Sequence, residues 1–176
     1  MLKKLKLLIK TCLIFFTANS AIASEAPILH MVLEKGIVKI QTFPEKAPLT
    51  VKRIIELSKN GFYDGLTFHR VISGFMAQGG DPAGNGTGGS GKNIKAEFND
   101  IKHERGIVSM ARANDPDSAD SQFFICYDSH PFLDGKYTVW GKVIEGMNLI
   151  DRIPEGKGQN GQVLRNPTKI ITIRVK

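Results

Sequence analysis

The sequence predicts a mainly β, barrel-like protein whose strands form one closed or nearly closed antiparallel sheet, with one or two helices. Three observations support this prediction. Short apolar segments recur along the chain, turn residues such as Gly, Pro and Asn separate them, and strands do not alternate regularly with helices as a parallel sheet would require. With 176 residues, of which 41% are hydrophobic, the chain is long enough for one domain with its own core.

The N-terminal segment differs in composition from the rest of the chain. Four lysines precede a short apolar run at 12–16, and the small-residue sequence Ala21-Ile22-Ala23 follows it. This order is typical of a cleavable export signal, and the apolar run is too short to span a bilayer. We therefore expect residues 1–23 to be a signal peptide and residues 24–176 to be a mature periplasmic domain without stable membrane insertion. An uncleaved anchor helix is the alternative.

The charge balance and the cysteine count restrict the possible functions. The chain has 24 Lys and Arg against 17 Asp and Glu, but four of the lysines lie before Ser24, so that the mature part has 20 against 17. This near balance does not predict nucleic-acid binding. Without the leader, Cys126 is the only cysteine, predicted to be a buried and unreactive thiol. Cys and His do not cluster at ligand spacing, and we predict neither a metal nor a cofactor.

The first elements after the leader are a predicted hairpin and a predicted helix. The hairpin covers 28–43, with a turn in which Gly36 can supply a positive φ. Pro48 lies in the first turn of the helix, which ends at Asn60-Gly61. Residues at three- and four-residue spacing give the helix one apolar face: Val51, Ile54, Ile55 and Ser58.

Six further segments are predicted strands, separated by turn signals: 66–72, 75–78, 107–110, 122–126, 138–143 and 169–175. In the last of them, alternation predicts that Ile171 and Ile173 point inward. The segment 145–153 predicts a second helix, with one side formed by Met147, Ile150 and Ile153.

The segment 68–81 combines a permanent cation with large apolar side chains. Alternation predicts one face with Phe68, Arg70 and Ile72 and the other with His69 and Val71. After the Ser73-Gly74 break it predicts one face with Met76 and Gln78 and the other with Phe75 and Ala77. The guanidinium of Arg70 has several donors, which suits holding a carbonyl or a peptide nitrogen beside an apolar pocket.

Together with 106–113, 121–126 and 132–143, this segment resembles the cyclophilins in order and spacing, and the resemblance extends from Ile28 to the C-terminus. It implies a closed eight-stranded antiparallel β-barrel capped by two α-helices. It also implies a peptidyl-prolyl cis/trans isomerase that acts on proline-containing unfolded or extended polypeptides. We expect a monomer that uses no cofactor and assists the folding of exported proteins.

The resemblance also implies the site residues. Catalytic roles fall to Arg70, Phe75 and Gln78, and the other substrate-binding positions are Met76, Gly86, Ala111, Arg112, Ala113, Gln122, Phe124, Phe132, Leu133 and Tyr137. The best-known eukaryotic members have tryptophan at position 132 and histidine at position 137, and the missing indole N–H predicts weaker inhibition by cyclosporin without loss of catalysis. Many relatives have asparagine at position 112, and the cation of Arg112 predicts a preference for acidic flanking residues.

Two loop motifs suggest other functions and are rejected. The glycine-rich stretch 84–92 matches phosphate-loop patterns, but Asn93 stands where such a loop has Ser or Thr, and no strand and helix frame it. The acidic loop 115–120 resembles the opening of a calcium loop but lacks its central glycine and closing glutamate. The remaining alternative to the isomerase is a non-catalytic chaperone that binds proline peptides on the same scaffold.

Overall fold

The computed structural model describes residues 26–176, and the predicted signal peptide at 1–23 lies outside them. The elements are β1 (Ile28–Leu33), β2 (Gly36–Thr42), α1 (Pro48–Lys59), β3 (Thr67–Ile72), β4 (Met76–Asp81), β5 (Ile107–Met110), β6 (Phe123–Cys126), β7 (Val139–Glu145), α2 (Met147–Ile150) and β8 (Ile170–Val175). Within the described part of the chain, no helix is long and apolar enough to cross a membrane.

The eight strands form one antiparallel sheet in the order β3-β4-β6-β5-β7-β2-β1-β8. The sheet curls so that its edge strands β3 and β8 approach each other, with a bridge between Thr67 and Lys169 and an N–H of Phe68 donating to the carbonyl of Thr168 at 3.0 Å. The mainly β, antiparallel prediction is confirmed. The closed barrel is not confirmed, because β3 and β8 do not pair along their length and the sheet stays open and curled.

The interior of the curled sheet holds the main core. Alternate residues of the hairpin, among them Leu29, Met31, Val38 and Ile40, are buried there with Trp140. Helix α1 packs over β8, and the short α2 packs against β2. The sheet therefore has a filled inner face, and its outer face is free to form a binding site.

Two of the predicted elements differ from the structure. In β8 the buried residues are Ile170 and Ile173, and Ile171 is 51% exposed, so the prediction that Ile171 points inward is wrong. A bulge in the β1–β8 pairing, between Val32 and Leu33, shifts the faces there. The second helix is shorter than predicted, since β7 continues to Glu145 and α2 covers only Met147–Ile150.

A bulge in β3 decides which side chains reach the outer face. Phe68 pairs with Gly79 and Arg70 pairs with Gln78, so that His69 is an extra residue. Phe68 therefore faces the inner core, whereas Arg70 lines a groove on the outer face. The prediction that Phe68 and Arg70 share a face is wrong, because simple alternation does not hold across a bulge.

Phe75 also departs from the predicted alternation. It lies in the turn before β4, and its ring lines the outer groove beside Met76. The predicted pairing of Phe75 with Ala77 on one face is wrong, since Ala77 is buried in the inner core. Period-two alternation applies only inside the strand, which begins at Met76.

Candidate active site

A groove of about 210 Å³ lies on the outer face of strands β3, β4, β6 and β5. Its floor is a small apolar cluster that is separate from the main core. Met76, Phe124 and Leu133 are each 5% exposed or less, and Cys126 lies beneath them. The register explains this cluster, because Met76 lies opposite Cys126 and Gln78 lies opposite Phe124 on neighbouring strands.

Aromatic rings form the rim of the groove. The ring of Phe75 lies 5.7 Å from that of Phe132 and 4.9 Å from that of His130, and Nε2 of His130 lies 2.9 Å from the carbonyl oxygen of Phe75. Tyr137 packs edge to face on Phe124, with the ring centres 5.7 Å apart. These contacts hold a wide, shallow apolar opening.

The guanidinium of Arg70 forms the polar edge of the groove. Its Nε donates to the carbonyl of Asn160 at 2.9 Å, and its Nη1 donates to Oε1 of Gln78 at 3.1 Å. Burial lowers the pKa of Arg70, and Tyr137 opposes this shift, but a guanidinium stays charged at neutral pH. A fixed cation with donors to spare therefore stands beside the apolar floor.

Hydrogen bonds connect Arg70 to the glycine-rich loop. The amide of Gln78 donates to Oε1 of Gln122 at 2.9 Å, and the amide of Gln122 donates to the carbonyls of Gly86 and Gly88 at 3.1 and 2.8 Å. The loop, the two glutamines and the guanidinium therefore form one continuous network. Their relative positions depend on one another.

Asp81 holds the beginning of that loop. Its carboxylate accepts backbone N–H bonds from Ala83, Asn85 and Gly86 at 2.8, 3.0 and 2.6 Å. Burial raises the pKa of Asp81, but the three backbone donors outweigh burial and the net pKa is lowered. The carboxylate is therefore ionised and fixes the loop at neutral pH.

A second cavity of about 280 Å³ continues the groove and shares with it Gln78, Ala111 and Arg112. The guanidinium of Arg112 donates to the carbonyls of Lys136, Ala113 and Asn114 and lies 4.8 Å from the centre of the Tyr137 ring. Arg112 thus connects its own segment of the rim with the segment at Lys136. Several of its N–H donors are already hydrogen-bonded to backbone carbonyls.

The structure brings together all of the site residues predicted from the sequence. Ten of them line the first groove: Arg70, Phe75, Met76, Gln78, Ala111, Arg112, Phe124, Phe132, Leu133 and Tyr137. The other three line the second cavity: Gly86, Ala113 and Gln122. Their roles toward a substrate stay predictions, because this arrangement gives their positions and not their action.

Sequence reasoning missed two residues that position the site. Asp81 could have been found, since an aspartate ahead of Pro-Ala-Gly-Asn is typical of a side chain that caps the N–H groups of a following loop. Asn160 gives no sequence signal, because it contacts Arg70 through its backbone carbonyl. That contact exists because 161–163 hydrogen-bonds to the outer edge of β3, where the carbonyl of Gly161 accepts from Val71 at 2.7 Å.

The carboxylates of the acidic loop accept backbone N–H groups, most of them from residues 91–96. Asp120 accepts N–H bonds from Gly91 and Lys92 at 2.8 and 3.2 Å, Asp117 accepts one from Ala96 at 2.8 Å, and Asp115 accepts one from Asp117 at 2.9 Å. Within residues 26–176, no group of three or more His, Cys, Asp or Glu side chains is placed to hold a metal ion. The carboxylates of this loop therefore order the chain around the second cavity.

Comparisons with known proteins agree with this architecture. The family model described as cyclophilin type peptidyl-prolyl cis-trans isomerase matches residues 28–175. A probable peptidyl-prolyl cis-trans isomerase of Brucella abortus is 43% identical over 172 residues, covering 91% of this chain and 87% of that protein. A peptidyl-prolyl cis-trans isomerase of Helicobacter pylori is 49% identical over 126 residues, covering 69% of this chain and 77% of that protein.

Among solved structures, a cyclophilin type peptidyl-prolyl cis-trans isomerase of Cryptosporidium parvum, in the presence of the dipeptide Ala-Pro, is similar with a TM-score of 0.77 and 34% identity. The match covers 85% of this chain and 98% of that chain. The matched family model and these relatives define the class as the peptidyl-prolyl isomerases. Within that class, the chain belongs to the cyclophilin family.

Proposed function

We propose that the groove accelerates rotation about X-Pro bonds by binding the twisted amide more tightly than either planar form. The barrier to this rotation is about 18–20 kcal/mol, because resonance is lost at the twisted midpoint. Rotation makes and breaks no covalent bond, so it needs no nucleophile. The observation that carries the proposal is the charged Arg70 held beside a buried apolar floor.

In this mechanism the pyrrolidine ring of proline packs on the apolar floor while the acyl side rotates. Met76, Phe124 and Leu133 supply that floor, and Phe75 contacts the ring from the rim. Arg70 donates to the proline carbonyl and to the prolyl nitrogen as it becomes pyramidal and regains its lone pair. Because Gln78 and Asn160 already hold the guanidinium, little reorganisation is needed during the reaction.

The substrate in this proposal is an extended polypeptide that contains proline. The related Cryptosporidium parvum structure, in the presence of Ala-Pro, supports this choice. The backbone at Ala111 and Arg112 contacts the residue before proline, and Gly86 lets the loop backbone approach the peptide. The loop conformation supports that role, since Gly86 has a φ of +93°, which favours glycine.

The proposed setting is the periplasm, where the enzyme acts as a monomer on exported proteins during their folding. The support is the composition of the N-terminal segment, with its lysines, apolar run and Ala21-Ile22-Ala23 sequence. Uncatalysed prolyl isomerisation takes on the order of tens of seconds, which is slow enough to limit folding. An exported isomerase would remove this delay.

Exchange spectroscopy on a short Ala-Pro peptide tests the function. Arg70→Ala is expected to lower kcat/KM for cis/trans exchange about 10²- to 10³-fold, in the range that loss of one preorganised donor to a transition state produces. The matched control is Arg165→Ala, which removes an exposed arginine outside the groove. Full activity in Arg70→Ala would contradict the role given to the guanidinium.

The same experiment separates the isomerase from a non-catalytic chaperone. A chaperone on this scaffold would bind the peptide, visible as chemical-shift changes on titration, without any increase in the exchange rate. The isomerase increases the rate at enzyme concentrations far below that of the peptide. Binding without turnover by the wild-type protein would favour the chaperone.

A further inference from the structure

A third cleft adjoins the groove at Arg70. It has a volume of about 260 Å³ and is lined by His69, Arg70, Asn85, Asn160 and Gln162. Arg70 is the lining residue that it shares with the proline groove, whereas the glycine-loop cavity meets the groove along Gln78, Ala111 and Arg112. The groove therefore has a different neighbouring cavity along each of two walls.

Under the function proposed above, the arrangement of the glycine-loop cavity, the proline groove and the third cleft defines a path for a bound peptide. The residue before proline lies against Ala111 and Arg112, and proline occupies the groove. The chain after proline then passes Arg70, whose donors face the proline carbonyl, and reaches the third cleft. Alternate side chains of an extended peptide point to the same side, so the second residue after proline is the next to face the protein.

The cleft contains a buried imidazole without a hydrogen bond. The bulge in β3 leaves His69 only 2% exposed, and neither ring nitrogen has a partner of ordinary geometry among the described residues. A side-chain carbon at Gly86 would lie 3.8 Å from Nε2, which is an ordinary contact distance, so the glycine loop lies directly beside the ring. Buried polar groups in proteins are almost always paired, and an unpaired one requires an explanation.

The groups around the cleft indicate what it can bind. Burial lowers the pKa of His69, opposed by Asp81 and by the nearby Thr67 carbonyl, while Arg70 adds to the lowering. The ring is therefore neutral at pH 7 and offers one donor and one acceptor. Arg70 is the one charged residue among the described residues of this lining, and its guanidinium already donates to Asn160 and Gln78. The remaining lining residues, Asn85, Asn160 and Gln162, all have amide side chains.

We propose that this cleft is a specificity subsite for the second residue after proline, and that it selects an uncharged hydrogen-bonding side chain, best an amide. A Gln or Asn side chain carries donors and an acceptor, which complement a neutral imidazole and the amides of the cleft. The proposal deepens the isomerase function and depends on it.

Peptides of the form Ala-Ala-Pro-Ala-Xaa-Ala with blocked ends test the subsite. Asn, Asp, Leu and Ala at Xaa compare an amide with a carboxylate and an apolar group of similar size. We expect kcat/KM with Asn to exceed that with Leu by about three- to tenfold, the effect of one or two net hydrogen bonds, and to exceed that with Asp. Equal values for all four peptides, or a preference that follows the residue directly after proline, would overturn the proposal.

The shorter peptide Ala-Ala-Pro-Ala separates this failure from failure of the function itself. It ends before the cleft, so its acceleration reports isomerisation alone. If the short peptide is not accelerated, the proposed function is wrong. If it is accelerated and the long peptides show no preference, only the subsite is wrong.

Variants locate the preference in the cleft. Gln162→Ala removes an exposed amide from the lining, and His69→Phe removes the hydrogen-bonding capacity of the ring while keeping its bulk. Both should bring the Asn-to-Leu ratio to within about twofold of one. Gln159→Ala, in the same loop but outside the lining, should keep the wild-type ratio. Because the ratio compares two peptides on one protein, partial unfolding cancels, and an unchanged ratio in both variants would contradict the assignment.

Discussion

At the scale of single residues, the departures from the best-known eukaryotic cyclophilins lie at the rim of the groove. Phe132 is 59% exposed at the edge, and Tyr137 packs on Phe124 below it and beside Arg112 above. The floor residues Met76 and Leu133 are buried. Ligands that reach across the rim should therefore distinguish this protein more strongly than a proline ring does.

Cyclosporin provides a test of the rim. In the proteins that this chain resembles, an indole N–H at position 132 helps to bind the inhibitor, and Phe132 has no such donor. Phe132→Trp should therefore tighten cyclosporin binding up to about tenfold, the effect of one net hydrogen bond, with little change in kcat/KM on a short proline peptide. Isothermal titration calorimetry measures the affinity. Phe132→Leu, which adds no donor, is the control, and equal tightening by Trp and Leu would contradict this explanation.

Cys126 should be inert in the folded protein. The side chain is buried below Met76 and Phe124, and burial, with a smaller effect of Asp134, raises the pKa of its thiol to about 12. In a protein that comprises residues 24–176, a thiol reagent such as dithionitrobenzoate should not react at pH 8 until denaturant is added. The absorbance of the released thiolate measures this, and rapid reaction in native buffer would show that the thiol is accessible.

The residues of the site could be anticipated from the sequence more fully than the contacts among them. The sequence indicates the apolar floor and the cation because a permanent cation among large apolar side chains is an unusual combination. The resemblance then gives the individual positions. The behaviour of Arg112 was not foreseen. The sequence predicts that its cation favours acidic flanking residues in the substrate. In the structure, three backbone carbonyls already accept from the guanidinium and compete with such residues for its donors. Such contacts depend on how loops far apart in sequence meet.

At the scale of elements, the site depends on the bulge in β3 and on the loop that follows β4. Hydrophobic alternation predicted β3 within one residue, but it placed Phe68 and Arg70 on the same face. The bulge at His69 puts Phe68 and Arg70 on opposite faces and turns Arg70 outward. No residue type in the segment indicates this bulge. Periodicity therefore located the strand but not the orientation of its most important side chain.

The loop after β4 should depend on Asp81 for both order and stability. Asp81→Ala removes the acceptor of three backbone N–H groups, two of them, on Asn85 and Gly86, beside the cavities of the site. We expect a loss of about 2–4 kcal/mol in the free energy of unfolding, because charge-assisted bonds are lost and their donors are left partly buried. Urea denaturation measures this loss.

Its control is an aspartate with a lighter structural role. Asp115 is exposed, and its carboxylate accepts one backbone N–H, from Asp117. Asp115→Ala should cost under about 1 kcal/mol. In Asp81→Ala we also expect a raised KM on proline peptides, because Gln122 loses the fixed carbonyls of Gly86 and Gly88. A loss of stability equal to that of Asp115→Ala would show that Asp81 does not organise the loop.

At the scale of the whole molecule, the sheet places an ordered site on its outer face because its inner face is already filled. The number of strands and their antiparallel pairing came from the resemblance and the spacing of apolar segments. The degree of closure did not, because β3 and β8 meet only near Thr67 and Lys169 and the segment 161–163 covers part of the free edge of β3. Pairing between the first and last strands is a long-range property that short sequence windows do not record.

Two histidines connect the stability of the whole molecule to pH. His69 lies under the glycine loop, and His103 lies near the apolar floor with Nδ1 3.1 Å from Oδ1 of Asp134; the two side chains are 2% and 1% exposed. Burial is the largest cause that lowers the pKa of each ring, and Asp134 opposes the shift of His103. Both rings are therefore neutral in the folded protein at pH values where an unfolded histidine, with a pKa of about 6.5, is already protonated.

The free energy of unfolding should consequently fall as pH decreases below about 6.5, since the unfolded chain then binds more protons than the folded chain. The slope is at most about 1.4 kcal/mol per pH unit for each histidine. The free energy of unfolding should become independent of these histidines above about pH 6.5. It should stop falling on their account once the pH drops below their folded-state pKa values. The pKa values of Asp81 and Asp134 are also lowered, but carboxylates lose their contribution only below about pH 4, in a separate range. Urea denaturation at pH 8, 7, 6 and 5 measures the dependence. His103→Gln should reduce the slope between pH 6.5 and 5, and a wild-type curve that stays flat down to pH 5 would show that the buried rings accept protons as readily in the folded chain as in the unfolded one.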